Sequence, residues 1–298
     1  MLSMQQICFH GCESLINIPN FNTMKIINAR GMFEGCKNLN NIPNLNLFNV
    51  YTANNMFISC SNVIEISDLD LSNAAYLNRT FEYCHNIVNA PNLKLSSTKP
   101  IVMYETFFGC NNLVNIPNYN TATVNHMGGM FFGCTNLTNI PNFDTSNVQD
   151  MSRMFSHCYN LTTVPNFDTS NVTTMEYMFY RCNNLIDLTN ISNFNTSCVT
   201  DMSEMFANCY NLIDVPQFDT NNTNDVSAMF AYCNNLSNAS VQNIINMCLN
   251  SNMTNDGTYW HQTNLNVNYE SSPFYNTKFT SVYYSNRLAE LTAAGWAY

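Results

Sequence analysis

Thirteen cysteines, five histidines and twenty acidic side chains are the residues of this 298-residue chain whose types could do chemistry. Ten of the cysteines, Cys12, Cys36, Cys60, Cys84, Cys110, Cys134, Cys158, Cys182, Cys209 and Cys233, fall in one column, with steps of 24, 24, 24, 26, 24, 24, 24, 27 and 24 residues. Zinc sites want cysteine pairs roughly two to four residues apart, and only Cys8 and Cys12 come near that spacing. Side chains repeated in one column of a stack point the same way rather than at each other, the wrong geometry for disulfides. Buried free thiols are therefore expected. His10, His85, His126, His157 and His261 pair into no catalytic arrangement. No phosphate loop or nucleophile elbow appears, since Met127-Gly128-Gly129-Met130 is too short for one. The expectation is no enzyme, no catalytic residue, no cofactor and no resident metal. Asp144, Asp168 and Asp219 recur at one position with Asn22, Asn120 and Asn195. There they could bind calcium between turns, but capping free backbone amides is the simpler role.

Two further polar columns follow the cysteines. Asn38, Asn62, Asn86, Asn112, Asn136, Asn160, Asn184, Asn211 and Asn235 stand two residues after a column cysteine and are expected to bond backbone at a turn. Asn41, Glu65, Asn89, Asn115, Asn139, Thr163, Asp187 and Asp214 stand two residues after the repeated aliphatic position. By strand alternation this second column faces away from the core and lines a sheet face. It is either plain solvated surface or a ligand-binding face, and as the latter it is amide-rich, neutral to acidic, and suited to sugars or polar peptide.

The elements that must position these columns repeat with them. In one clean unit Val148, Met151, Met154, Phe155 and Cys158 have the spacing of one face of a short helix, and Ser146 with Gln149 has capping-box spacing. Leu161 to Val164 then reads as a short extended segment that Pro165 ends, as do Pro19, Pro43, Pro91, Pro117, Pro141 and Pro216 in their units, because proline has no amide to give a ladder. Phenylalanine fills the position three before every column cysteine: Phe9, Phe33, Phe57, Phe81, Phe107, Phe131, Phe155, Phe179, Phe206 and Phe230. Burying each ring is worth ~1.5–3 kcal/mol, the main driving force in sight. Strands separated by such a segment run parallel, about 4.8 Å apart. A fixed period of this length marks a stacked array in which each unit buries its apolar face on its neighbours. The predicted fold is an α/β repeat, a right-handed leucine-rich-repeat-like solenoid with a short parallel strand and a short helix per unit. Its ten units cover residues 1–240, and an aromatic-rich capping region covers 241–298.

The composition narrows the function classes. Ten Lys+Arg stand against 20 Asp+Glu, net −10, with 46% apolar residues and 54 asparagines. An acidic chain lacks the basic stripe that nucleic acid requires. No apolar run is long enough to cross a membrane, and Met1 to Gln6 has no signal-peptide pattern.

The string Met-Phe-x-x-Cys-x-Asn-Leu-x-x-Ile/Val-Pro-Asn-Phe-Asp-Thr-Ser-Asn-Val-x-x-Met stands at 130–151 and again at 154–175. It resembles the BspA-like leucine-rich repeat surface proteins, over about four fifths of the chain. The resemblance implies a solenoid with a role in adhesion or recognition, on bacterial surfaces or in phage-encoded proteins, and a protein or glycan as partner. The sequence departs from the pattern at Ser67, which stands in the proline position, at Ser96 to Pro100, and at a three-residue insertion after Cys182.

At the N-terminus Leu2, Gln5, Cys8 and Phe9 fit a unit that lacks its preceding strand. That end reads as the edge of a longer parent chain or as a surface that docks on a partner. At the other end, residues 240–249 read as a helix, followed by an aromatic-rich stretch and a final helix ending at Gly295. Recognition through the sheet face at a cell surface or on a virion is the function expected. The alternative is an assembly module that docks through its N-terminal end.

Overall fold

The computed structural model describes residues 9–18, 22–186, 188 and 191–250, with the backbone alone for 248–250. The expected N-terminal edge before Phe9 and the aromatic stretch and final helix beyond Asn250 lie outside the described residues. The chain divides into two compact units, Met1–Val148 and Gln149–Tyr298.

In the first unit the strands are β1 (Asn41–Ile42), β2 (Glu65–Ile66), β3 (Leu69–Asp70), β4 (Leu93–Lys94), β5 (Ile101–Val102) and β6 (Val124–His126). They pair as β1 with β2, β3 with β4 and β5 with β6, always parallel and one repeat apart. Pro43 ends β1 as expected, but the other five strands are comparably short with no proline after them. Where Ser67 replaces proline, its amide donates to the Ile42 carbonyl at 2.9 Å, a bond that proline could not make. A second line of parallel bridges runs Asn28, Thr52, Tyr76, Val102 in this unit and Asp150, Thr174, Asp201, Asp225 in the other. Parallel pairing between successive copies of one motif makes each unit a leucine-rich-repeat-like solenoid.

The segment expected as a short helix is not one. Each copy is a pair of linked turns, with two left-handed residues per repeat: Asn55 and Ser59 (φ 60° and 58°), Arg153 and His157 (φ 56° and 62°), Gly31 and Gly35 (φ 61° and 74°). The hydrogen bonds give the reason. Amides of Arg153, Phe155 and His157 donate to the carbonyls of Glu176, Met178 and Tyr180 in the next repeat at 2.7–2.9 Å. Those of Met154, Ser156 and Cys158 donate back to Met151, Arg153 and Phe155 at 3.0–3.3 Å. A helix uses its amides on itself. Here alternate amides tie one repeat to the next, so buried backbone is satisfied by stacking.

Phenylalanine rings fill each core. Phe9, Phe33, Phe57, Phe81, Phe107 and Phe131 stack at 5.2–5.8 Å between centroids in the first unit. Phe155, Phe179, Phe206 and Phe230 stack at 5.4–5.7 Å in the second. All but Phe9 are fully buried. A second ring column, Tyr119 and Phe143 in one unit and Phe167 and Phe218 in the other, packs beside the first at 6.0–6.5 Å. The column cysteines after Cys12 are buried thiols, and Cys12 is exposed. Burial pushes the thiols of Cys60 and Cys233 up to about 12 and those of Cys84, Cys110, Cys182 and Cys209 well above their ordinary value.

Helix α1 (Asn238–Asn250) follows the last described repeat. It starts two residues earlier than the sequence suggests, because the Ser237 hydroxyl accepts the Ser240 amide as an N-cap. Its Val241, Ile244, Ile245 and Met247 are buried. Its polar atoms stand in for a further repeat: Ser240 Oγ accepts from the Val215 amide, Asn243 Nδ2 donates to the Val215 carbonyl, and the Met247 carbonyl accepts from Thr220 Oγ1. Among the described residues no helix is long and apolar enough to cross a membrane.

Candidate recognition surface

The short strands set the predicted face column in register. Asn41 pairs with Glu65, and Asn89 with Asn115. The Asn115 amide donates to Asn89 Oδ1 at 2.6 Å, so side chains one repeat apart form a polar row. Asn139 donates to the neighbouring Thr138 hydroxyl at 3.2 Å, and Asp214 accepts from Ser237 Oγ at 2.9 Å. Asn41, Glu65, Asn89, Asn115, Asn139, Thr163 and Asp214 are all exposed. Asp187 lies outside the described residues.

A second row, one residue earlier, escaped the reading from alternation. Ile64, Val88 and Val114 are 59%, 41% and 37% exposed, and Ile186 and Ile213 in the other unit 49% and 41%. Alternation counted from the buried Val63, Ile87 and Leu113 turns that position outward and the polar row inward, yet both are exposed. Strands of two residues do not alternate far enough, and the position falls before the strand begins. Its backbone still joins the stack, since Ile64 donates to Asn40, Val114 to Val88 and Ile213 to Ile186 at 2.8–2.9 Å. Each unit thus presents aliphatic side chains beside polar ones on one face.

The remaining polar columns hold the stack together. The asparagines after the cysteines bond mainly each other rather than backbone: Asn62 to Asn38, Asn136 to Asn112 and Asn184 to Asn160 at 3.2–3.4 Å. Asn38, Asn211 and Asn235 donate to backbone carbonyls as expected. Asp144, Asp168, Asp219, Asn22, Asn120 and Asn195 each accept the amide two residues ahead, closing turns rather than capping helices. Those bonds hold the Asp168 carboxyl below the usual carboxylate range. Among the described residues no group of three or more His, Cys, Asp or Glu could hold a metal ion. The histidines lie apart: His85 Nδ1 is 2.8 Å from the Gly109 carbonyl, His157 Nδ1 is 3.0 Å from Ser156 Oγ, and His10 sits beside Glu34. His261 lies outside the described residues.

A comparison with curated proteins finds no match. Among solved structures, a leucine-rich repeat protein from Bacteroides ovatus is similar at 15% identity. It covers 74% of this chain and 79% of its own, with a TM-score of 0.24. An internalin from Listeria monocytogenes is similar at 12% identity, covering 81% and 80%, with a TM-score of 0.30. The model of one protein family matches residues 2–115, 101–188 and 159–270, nearly the whole chain. The chain therefore belongs to the family described as Mycoplasma protein of unknown function, DUF285.

Proposed function

We propose that this chain is a non-catalytic recognition solenoid that binds a protein partner through its strand face, displayed at a cell surface or on a virion. The observation that carries the reading is the pair of exposed rows, Glu65-Asn89-Asn115 beside Ile64-Val88-Val114. Amides suit a glycan or a peptide backbone equally well. A row of isoleucine and valine gains only from apolar contact, at roughly 25 cal/mol per Å² removed from water, and a protein surface supplies that contact better than a hydrated sugar. The net charge of −10 argues against a nucleic-acid partner. Residues 1–240 are the working solenoid in this reading and 241–298 its closing module, supported by the way α1 satisfies the Val215 backbone.

The test is to probe protein and glycan arrays with the whole chain. Protein hits that compete with one another are expected. Binding to glycans alone would replace this reading with a lectin-like one.

A further inference from the structure

On the turn side of the second unit, away from the strand face, two repeats bring together a cluster that the stack does not need. Arg181 is exposed, and its guanidinium lies over the Tyr180 ring, 5.3 Å from the centroid. The Tyr180 ring is 5.3 Å from His157, which is 5.8 Å from Tyr159. Tyr180 and Tyr232 pack against the buried small residues Ala207, Ala228 and Ala231. The result is an aromatic cluster with an exposed guanidinium upon it.

Its electrostatics point to a ligand charge. Arg153, the neighbouring arginine, also lies over a tyrosine, Tyr177, but pairs with Glu176 at 2.8 Å. Among the described residues Arg181 has no carboxylate in ion-pair range. Its nearest influences are Tyr180 and then Tyr159, which favour the charged form. Burial, with Arg181 adding to it, lowers the His157 pKa, which disfavours the charged imidazole. A planar fork with tyrosine hydroxyls beside it matches a carboxylate, and Tyr and Arg are the side chains that dominate protein contacts. The guanidinium already covers the face of Tyr180, which disfavours a stacked pyranose and favours a protein ligand.

We propose that Arg181, Tyr180, Tyr159 and His157 form a second binding site, distinct from the strand face, for a protein segment that presents a carboxylate side chain.

The test is a titration of the whole chain with the peptide acetyl-Leu-Glu-Leu-amide, followed on the Tyr159 and Tyr180 ring resonances, which the Arg181 variants keep. A saturable shift is expected, at least fivefold weaker for acetyl-Leu-Gln-Leu-amide on the same protein and for the Glu peptide on R181Q, with R181K between. Equal responses to the Glu and Gln peptides, or no saturable shift, would overturn the proposal without relying on any variant. Tighter binding of glucuronate than of the Glu peptide would overturn it in favour of an acidic glycan.

Discussion

The thiol of Cys60 donates to the carbonyl oxygen of Phe33, 3.1 Å away in the preceding repeat. The same relation joins Cys36 to Phe9, Cys84 to Phe57 and Cys110 to Phe81 in the first unit, and Cys182 to Phe155, Cys209 to Phe179 and Cys233 to Phe206 in the second. Each of these cysteines is thus a small buried donor that ties one turn to the last. Serine would place a stronger donor on a shorter bond, and alanine would place none. Cys60→Ala is expected to cost about 1–2 kcal/mol, the loss of a weak hydrogen bond plus a small cavity. The urea midpoint of the variant checks it.

Burial also makes the thiols a pH-dependent load. In the unfolded chain a thiol titrates near ~8.5, whereas in the fold Cys60 and Cys233 are held up to about 12 and four others well above the ordinary value. A raised folded value means stability that is fully present below the unfolded pKa and declines as pH rises towards the folded one. The slope is about 1.4 kcal/mol per thiol per pH unit. Urea midpoints should therefore fall steeply between pH 8 and pH 10, with little change from 7 to 8; a flat profile would contradict the burial. Iodoacetamide at pH 8 should label Cys12 and Cys198 in the native protein while sparing the buried column, as read by peptide mass spectrometry.

The left-handed positions give a paired prediction. Ser59 has φ 58° and no glycine freedom, so Ser59→Gly should raise stability by about 0.5–1 kcal/mol. Gly35→Ala should lower it by about 1 kcal/mol, since a Cβ there meets only ordinary contacts, 3.6 Å from Gly11. Gly109→Ala should cost more than Gly35→Ala, because its Cβ would sit 2.7 Å from the Tyr83 ring. Thermal unfolding of the three variants decides the order.

The ring stack predicts its own mutational scale. Phe81 lies between Phe57 at 5.6 Å and Phe107 at 5.2 Å, with no exposure. Phe81→Ala should destabilise by about 3–5 kcal/mol, and Phe81→Leu by less. A cost below 1 kcal/mol for the alanine variant would mean that the ring column is not the core.

Periodicity made the stack legible. The phenylalanine and cysteine columns define the repeat length, so the parallel pairing of Asn41 with Glu65 follows from the sequence. The turns did not follow. Val148, Met151, Met154, Phe155 and Cys158 fit a helical face equally well when every second amide is lent to the next repeat, and hydrophobic spacing does not report where an amide goes. The signal that could have shown it was the recurrence of Gly and Asn at the left-handed positions, as in Gly31, Gly35, Asn55, Gly129 and Asn208. The buried threonine column was missed for a related reason. Thr121, Thr169 and Thr196 look like capping residues, but their hydroxyls donate to the carbonyls of Asp144, Asn195 and Asp219 in the following repeat. On the face itself alternation was no guide: counted from the buried Val63, Ile87 and Leu113 it turns Ile64, Val88 and Val114 outward and the polar row inward, and both rows are exposed because the strands are too short to impose it.

The most direct test of the strand face compares two pairs of exposed asparagines that differ in role. Asn115 and Asn139 stand in the proposed recognition row, whereas Asn62 and Asn136 belong to the amide ladder behind the cysteines. Affinity for an array-selected protein partner, measured by calorimetry, should fall at least tenfold in Asn115→Ala/Asn139→Ala, with a urea midpoint no lower than that of Asn62→Ala/Asn136→Ala, since Asn115 also bonds Asn89. Asn62→Ala/Asn136→Ala should keep its affinity and lose some stability. Unchanged affinity in the first pair, or the loss appearing in the second, would contradict the assignment of recognition to this face.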